Sequence, residues 1–160
     1  MFEVGDKIVY PYQGVGKIDG IEEQEIAGQK MTCYVLHILE KKLKIVLPVV
    51  NAVKVGLRPI IREDEVDEVL EILKQEMDEM PNKWNKRWNM NYKKFRTGSI
   101  YEIAEVFKNL TCLEKNKVLS LKERRMLDDA RELIVSEIAH SRKIGLVQAE
   151  FLLYKSCCHA

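Results

Sequence analysis

Leu57-Arg58-Pro59-Ile60-Ile61 is the joint of this sequence, and the pattern of residues changes across it. Before it, short β-branched runs alternate with glycine and proline. Lys7 to Tyr10 is closed by Pro11, and Gly14 and Gly16 punctuate the next turn. Gly16 to Ile21 reads as a second strand. The segment Glu25 to Lys30 turns the chain into Met31 to Leu39, and Lys41-Lys42 turns it into Leu43 to Leu47, which ends at Pro48. After the joint, apolar residues recur at helical spacing. Val66, Val69, Leu70 and Leu73 mark a first helix, and Pro81-Asn82 restart the chain into a second, with Asn82 as its N-cap and Gly98 at its end. Ser99 with Glu102 and Ser120 with Glu123 have the spacing of capping boxes for two further helices, towards Leu110 and from Leu121 to His140. A last helix follows Gly145, from Leu146 to Tyr154. The expected architecture is α+β. A small, strongly bent β-sheet of SH3 or Tudor type over residues 1–60 precedes an all-α domain over 62–160.

At 160 residues the chain has room for two such domains, each with its own core. No run of about 18 apolar residues is present, so no membrane span is expected. The opening MFEVGDKIVY lacks the order of a secretory signal, which makes the cytoplasm the default compartment. The four cysteines fit no paired framework, and reduced thiols are expected. Cys157, Cys158 and His159 could be read as metal ligands, but their spacing is not CxxC, and no metal or other cofactor is expected.

Charge is organised although the net charge is only +1. Arg62 to Glu79 holds nine acids and two bases. The next segment, Pro81 to Arg96 (PNKWNKRWNMNYKKFR), holds six bases, no acid and both tryptophans. On a helix at roughly 100° per residue, Trp84, Trp88, Tyr92 and Phe95 fall on one side and the bases take the rest. Trp88, Tyr92 and Phe95 read as a core-facing stripe. Trp84, in the first turn, is open to two readings: a buried anchor, or an exposed ring at a helix N-terminus that attracts phosphate. The N-terminal half balances seven acids against seven bases through Lys54, which points to protein contact through a sheet edge rather than to nucleic acid.

No catalytic constellation emerges. His37, His140 and His159 have no nucleophile or carboxylate at a recognisable spacing, and His140 complements a helix C-terminus. Gly14-Val15-Gly16 lacks the third glycine of a dinucleotide loop, and the acids of 63–79 read as a solvated helix face.

Four motifs in order resemble the CarD/CdnL transcription regulators of bacteria. Phe2-Glu3-Val4-Gly5-Asp6-Lys7-Ile8-Val9-Tyr10-Pro11 with Gly14 is similar to the family's F-x-V-G-D-x-V-V-Y-P-x-x-G opening. That opening is shared with the polymerase-interacting domain of transcription-repair coupling factor. Val46-Leu47-Pro48, Asn51-Ala52 and Val55-Gly56-Leu57-Arg58 resemble its joint. Trp84 to Arg87 with Asn91 resembles W-x-x-R-x-x-x-N. Leu119-Ser120-Leu121, Glu123, Arg125-Met126-Leu127, Ala130-Arg131 and Leu133 resemble its L-S-x-x-E-x-x-M-L-x-x-A-R-x-L helix.

The resemblance implies a monomer that docks its Tudor-like domain on the RNA polymerase β subunit. Its helical domain would reach promoter DNA at the upstream edge of the transcription bubble, where Trp84 wedges into the minor groove. The open promoter complex is thereby stabilised without catalysis, and the protein localises to the nucleoid through polymerase. On this reading Lys83, Trp84, Lys86, Arg87, Lys93, Lys94 and Arg125 contact DNA. Gln24 and Val46 stand where some relatives offer polymerase a basic residue, so Lys41, Lys42 and Lys44 join them as the polymerase-contacting set. Lys83 and Asn89 also depart from the pattern of relatives. The alternative is a protein-only adaptor with no direct DNA contact and Trp84 buried. Salt separates the two, because phosphate binding weakens steeply with ionic strength.

Overall fold

The computed structural model describes residues 1–157, which divide into two compact units, one of residues 1–60 and one beginning at Ile61. The first is a five-stranded antiparallel sheet of order β4-β3-β2-β1-β5. Its strands are β1 (Lys7–Tyr10), β2 (Gly14–Ile26), β3 (Gln29–Ile38), β4 (Leu43–Pro48) and β5 (Arg58–Pro59). The expected second strand runs longer than its apolar pattern, because the hairpin turns at Ala27-Gly28, both at positive φ, rather than over 25–30. A register shift between Ile18 and Gly20 bends β2 against β3. Gly16 lies in β2 between Ile8 of β1 and Ile38 of β3, where there is no room for a side chain. A Cβ there would lie 3.0 Å from the His37 carbonyl and 3.1 Å from the Ile38 side chain.

One face of this sheet buries Ile8, Ile18, Tyr34, Leu36 and Leu47. Ala52 completes the cluster from a segment the sequence pattern did not assign, a 3-10 turn at Val49–Asn51 and the short helix α1 (Ala52–Val55), and Leu57 of the joint joins it. The Tyr34 hydroxyl accepts a 3.0 Å hydrogen bond from the Phe2 backbone N–H, tying the chain start to the core.

The second unit contains α2 (Glu63–Lys74), α3 (Trp84–Phe95), α4 (Ile100–Glu114), α5 (Leu121–Arg142) and α6 (Leu146–Ser156). Val66, Val69, Leu70 and Leu73 of α2 pack on Ile103, Phe107 and Leu110 of α4 and on Ile134 and Ile138 of α5. The opposite face of α2 leaves Glu63, Asp64, Asp67, Glu68 and Glu71 in solvent. The capping box at Ser120 and Glu123 forms as its spacing predicts: each backbone N–H donates to the other's side chain, at 3.1 and 3.2 Å. The one expected at Ser99 does not, because its backbone N–H is taken by the Thr97 hydroxyl at 3.2 Å and its side chain makes no capping bond. The N-cap of α3 is Lys83, one residue after the expected Asn82.

Cys33 and Cys157 are buried thiols, and burial raises the Cys157 thiol to about 11. Cys158 and His159, members of the metal reading, lie outside the described residues. No metal-binding cluster of three His, Cys, Asp or Glu occurs among the described residues. No helix there is long and apolar enough to cross a membrane.

Candidate nucleic-acid interface

The residues between α2 and α3 form the base of the site. Asp78 accepts from the Lys94 ammonium at 2.9 Å, from Lys108 at 3.3 Å and from the Asn109 amide at 3.1 Å, while its own N–H donates to the Asn109 carbonyl oxygen at 2.9 Å. Asn109 also donates to Asn91. Burial pushes the Asp78 carboxyl up, but the hydrogen bonds from Lys94, Asn109 and Lys108 outweigh it and hold it down at about 2. Asp78 is therefore no part of a solvated acidic face, as its sequence neighbourhood suggests, but the ligand of a cationic pair. Lys108, 1 % exposed, is buried because that carboxylate compensates its charge.

This network fixes the segment that delivers Trp84. The indole is 47 % exposed, in the first turn of α3. It borders an open cavity of about 560 Å³ lined also by Asn82, Lys83, Asn85, Lys117, Val118 and Ser120. Of the two readings of Trp84, burial is set aside and the exposed ring stands. The rest of the stripe divides. Phe95 is core and Trp88 is half-buried against it, but Tyr92 is 37 % exposed rather than inward. Tyr92 lies flat on Trp88, with ring centroids 4.7 Å apart and planes 10° apart, and the Lys122 ammonium lies 4.9 Å from the Trp88 ring centre.

The cations proposed for DNA fall into two groups. Lys83, Lys86, Lys93 and Arg125 are exposed and form no ion pair among the described residues. Arg87 and Lys94 are corrections. The Arg87 side chain is 6 % exposed and donates two bonds of 3.1 Å to Glu123, which is fully buried, and a third to the Asn82 carbonyl. Lys94 is held by Asp78 and, at 2.7 Å, by Glu105. Helical spacing placed both on the polar side of α3, but it carries no information about acids on the neighbouring segments. Neither is available to phosphate as the structure stands.

Sequence reasoning read Glu123 only as half of a capping box and missed that it is the counter-ion of Arg87. Burial pushes its carboxyl up, and the Arg87 and Ser120 hydrogen bonds more than offset this, leaving it below the ordinary carboxylate range. Two exposed apolar residues were also missed: Val118, 92 % exposed, which lines the same cavity as Trp84, and Leu121, 81 % exposed, at the start of α5. Their signal, an apolar residue on each side of Leu119-Ser120, was absorbed into the helix start.

In the N-terminal unit, cross-strand pairing places Gln24, Lys44 and Val46 on one face of the sheet, opposite the face that buries Tyr34 and Leu36. Lys44 and Val46 lie on the edge strand β4, both exposed. Lys41 and Lys42 form the turn before it, with Lys41 bonded to the Gln13 side chain at 3.3 Å. Gln24 is half-buried and donates to Glu22 at 2.9 Å.

Comparison with known proteins bears on both units. The family model described as "CarD-like/TRCF RID domain" matches residues 2–61, and that described as "CarD, C-terminal domain" matches residues 68–154. YdeB of Bacillus subtilis (strain 168), named as a candidate transcription factor, is 33% identical over 138 residues, covering 86% of this chain and 90% of YdeB. Among solved structures, the N-terminal domain of Myxococcus xanthus CarD is 34% identical over 37% of this chain and 79% of that domain, with a TM-score of 0.33. CdnLNt of the same organism is 52% identical over 38% of this chain and 86% of its own, also with a TM-score of 0.33. With one family model matching each unit and a relative aligned over 86% of the chain, this chain belongs to the CarD/CdnL family of transcription regulators.

Proposed function

We propose that this regulator acts as a monomer that docks its sheet on the RNA polymerase β subunit and sets its helical unit on promoter DNA at the upstream edge of the transcription bubble. There it stabilises the open complex. The observation that carries the reading is Trp84, a half-exposed indole at the start of a helix, flanked by the unpaired Lys83 and Lys86. A flat apolar ring fills the gap left when base pairs unstack, and the lysines hold the adjoining phosphates without reading sequence. At a junction that polymerase has already opened, the unstacking cost is largely met before the ring arrives. Lys93 and Arg125 extend the cationic surface; Arg87 and Lys94 do not contribute to it as free charges.

The polymerase contact is placed on the outer face and free edge of β4, through Lys44 and Val46, with Lys41, Lys42 and Gln24 beside them. An edge strand offers unpaired backbone groups that a partner strand can complete.

The deciding experiment is the decay of preformed open complexes challenged with competitor DNA. Trp84→Ala is expected to shorten their lifetime while leaving polymerase binding unchanged. An unchanged lifetime with a folded variant refutes the role of Trp84.

A further inference from the structure

Trp84 and Val118 line one cavity, 34 residues apart in sequence, and both are exposed. Their positions therefore depend on the backbone beneath them. Beneath both is the same buried ion pair. Arg87 donates to the carbonyl of Asn82, two residues before Trp84, and with Nε and a terminal nitrogen to the two Glu123 oxygens at 3.1 Å. The Glu123 oxygen that meets the terminal nitrogen also accepts from the Ser120 backbone N–H at 3.1 Å, two residues after Val118. One guanidinium and one carboxylate thus hold the backbone of both segments that line the cavity.

We propose that Arg87 and Glu123 are positioning residues, a clasp that holds Trp84 and the turn between α4 and α5 at one cavity and makes the two segments one binding site. An apolar pair of similar volume would fill the same space at no loss of stability, since desolvating two charges offsets most of what their attraction supplies. It could hold neither the Asn82 carbonyl nor the Ser120 N–H. A single lysine ammonium could not serve in place of Arg87, because the clasp uses the planar fork of three donor nitrogens. The clasp also reaches inwards: the Arg87 carbonyl accepts from Asn91 at 3.2 Å, and Asn91 accepts from Asn109 in the Asp78 network. The significance of the clasp for promoters rests on the function proposed above; its effect on Trp84 does not.

The test uses the full chain carrying Trp88→Phe, so that Trp84 is the only tryptophan. Into it are placed Arg87→Met with Glu123→Leu, and separately Arg87→Lys and Glu123→Gln. Three quantities are read: the melting temperature, the time-resolved fluorescence anisotropy of Trp84 in the free protein, and open-complex lifetime. The double variant is expected to melt near its parent, to show faster and wider local motion of Trp84, and to lose the part of the open-complex lifetime that Trp84→Ala removes. Arg87→Lys is expected to free Trp84 without restoring that lifetime. Unchanged anisotropy in the folded double variant overturns the clasp. If that variant fails to fold, unchanged anisotropy in Glu123→Gln overturns it equally. Freed motion of Trp84 with an undiminished open-complex lifetime supports the clasp and refutes the promoter role of Trp84 instead.

Discussion

Alanine in place of Trp84 or of Trp88, one turn apart on α3, is expected to have different consequences for stability. Trp88 is half-buried against the helical core, so truncation forfeits about half of the 3–5 kcal/mol typical of a fully buried aromatic ring. It also forfeits the stacked arrangement with Tyr92, about 0.5–1.5 kcal/mol, and the Lys122 cation over the ring, about 0.5–1 kcal/mol. The expected loss is about 4 kcal/mol. Trp84 is 47 % exposed, has no ring partner and borders an open cavity that solvent fills, so no enclosed void is left behind. Its truncation is expected to cost about 2 kcal/mol, the transfer of the roughly 80–130 Å² of ring area it does cover. For a unit of this size 1 kcal/mol moves the melting temperature by roughly 4–8 °C. Followed by far-UV circular dichroism, which reports the helical unit, Trp84→Ala should melt about 10 °C below the parent and Trp88→Ala about 20 °C below it. Equal falls for the two variants would refute the assignment of Trp84 to function and Trp88 to packing.

Charge reversal at Lys83 and Lys86 together should weaken binding to duplex DNA, with β-subunit binding intact. The salt dependence should fall by about one unit of slope for each phosphate that is no longer neutralised. Reversal of Arg87 should instead destabilise the helical unit by about 3–5 kcal/mol, because it leaves Glu123 buried against a like charge. Acid should act on Asp78: the folded unit holds its carboxyl at about 2 against an ordinary 3.8, so it binds the proton less readily than the unfolded chain. Its contribution is complete above pH 3.8 and is lost as pH falls towards 2, and Asp78→Asn should flatten an acid-unfolding curve in that window. Val46→Glu on the edge strand should reduce β-subunit capture without changing thermal unfolding, since the side chain is already 45 % exposed.

Periodicity was sufficient for the helices and most of the strands. It predicted β1 and placed the inward residues of α2. It did not reach α1 or β5, because four and two residues carry no period. It lengthened the turn of the β2–β3 hairpin, where polar residues remain in strand because cross-strand pairing, not hydropathy, sustains them. At the candidate site, composition identified a cationic segment but could not sort its charges. Arg87 and Lys94 are distinguished from Lys86 and Lys93 only by Glu123, Glu105 and Asp78, which lie up to 36 residues away. Tyr92 faces solvent although its spacing matches Phe95, because Trp88 covers the intervening core and Tyr92 stacks on top of it.

The acidic outer face of α2 bears on how such a protein behaves when it is not on polymerase. The helical half carries 18 acids and 18 bases, so its field at a distance is that of a neutral body. Screening confines the influence of the unpaired lysines to roughly 8 Å at physiological ionic strength. Free in solution, this unit would neither be drawn to DNA from afar nor coat it. Once the sheet is tethered to polymerase, binding becomes intramolecular, and an interaction too weak to hold by itself is driven by a local concentration of order millimolar. In the proposed role, the carboxylates of α2 restrict the lysines of α3 to promoters that polymerase already occupies.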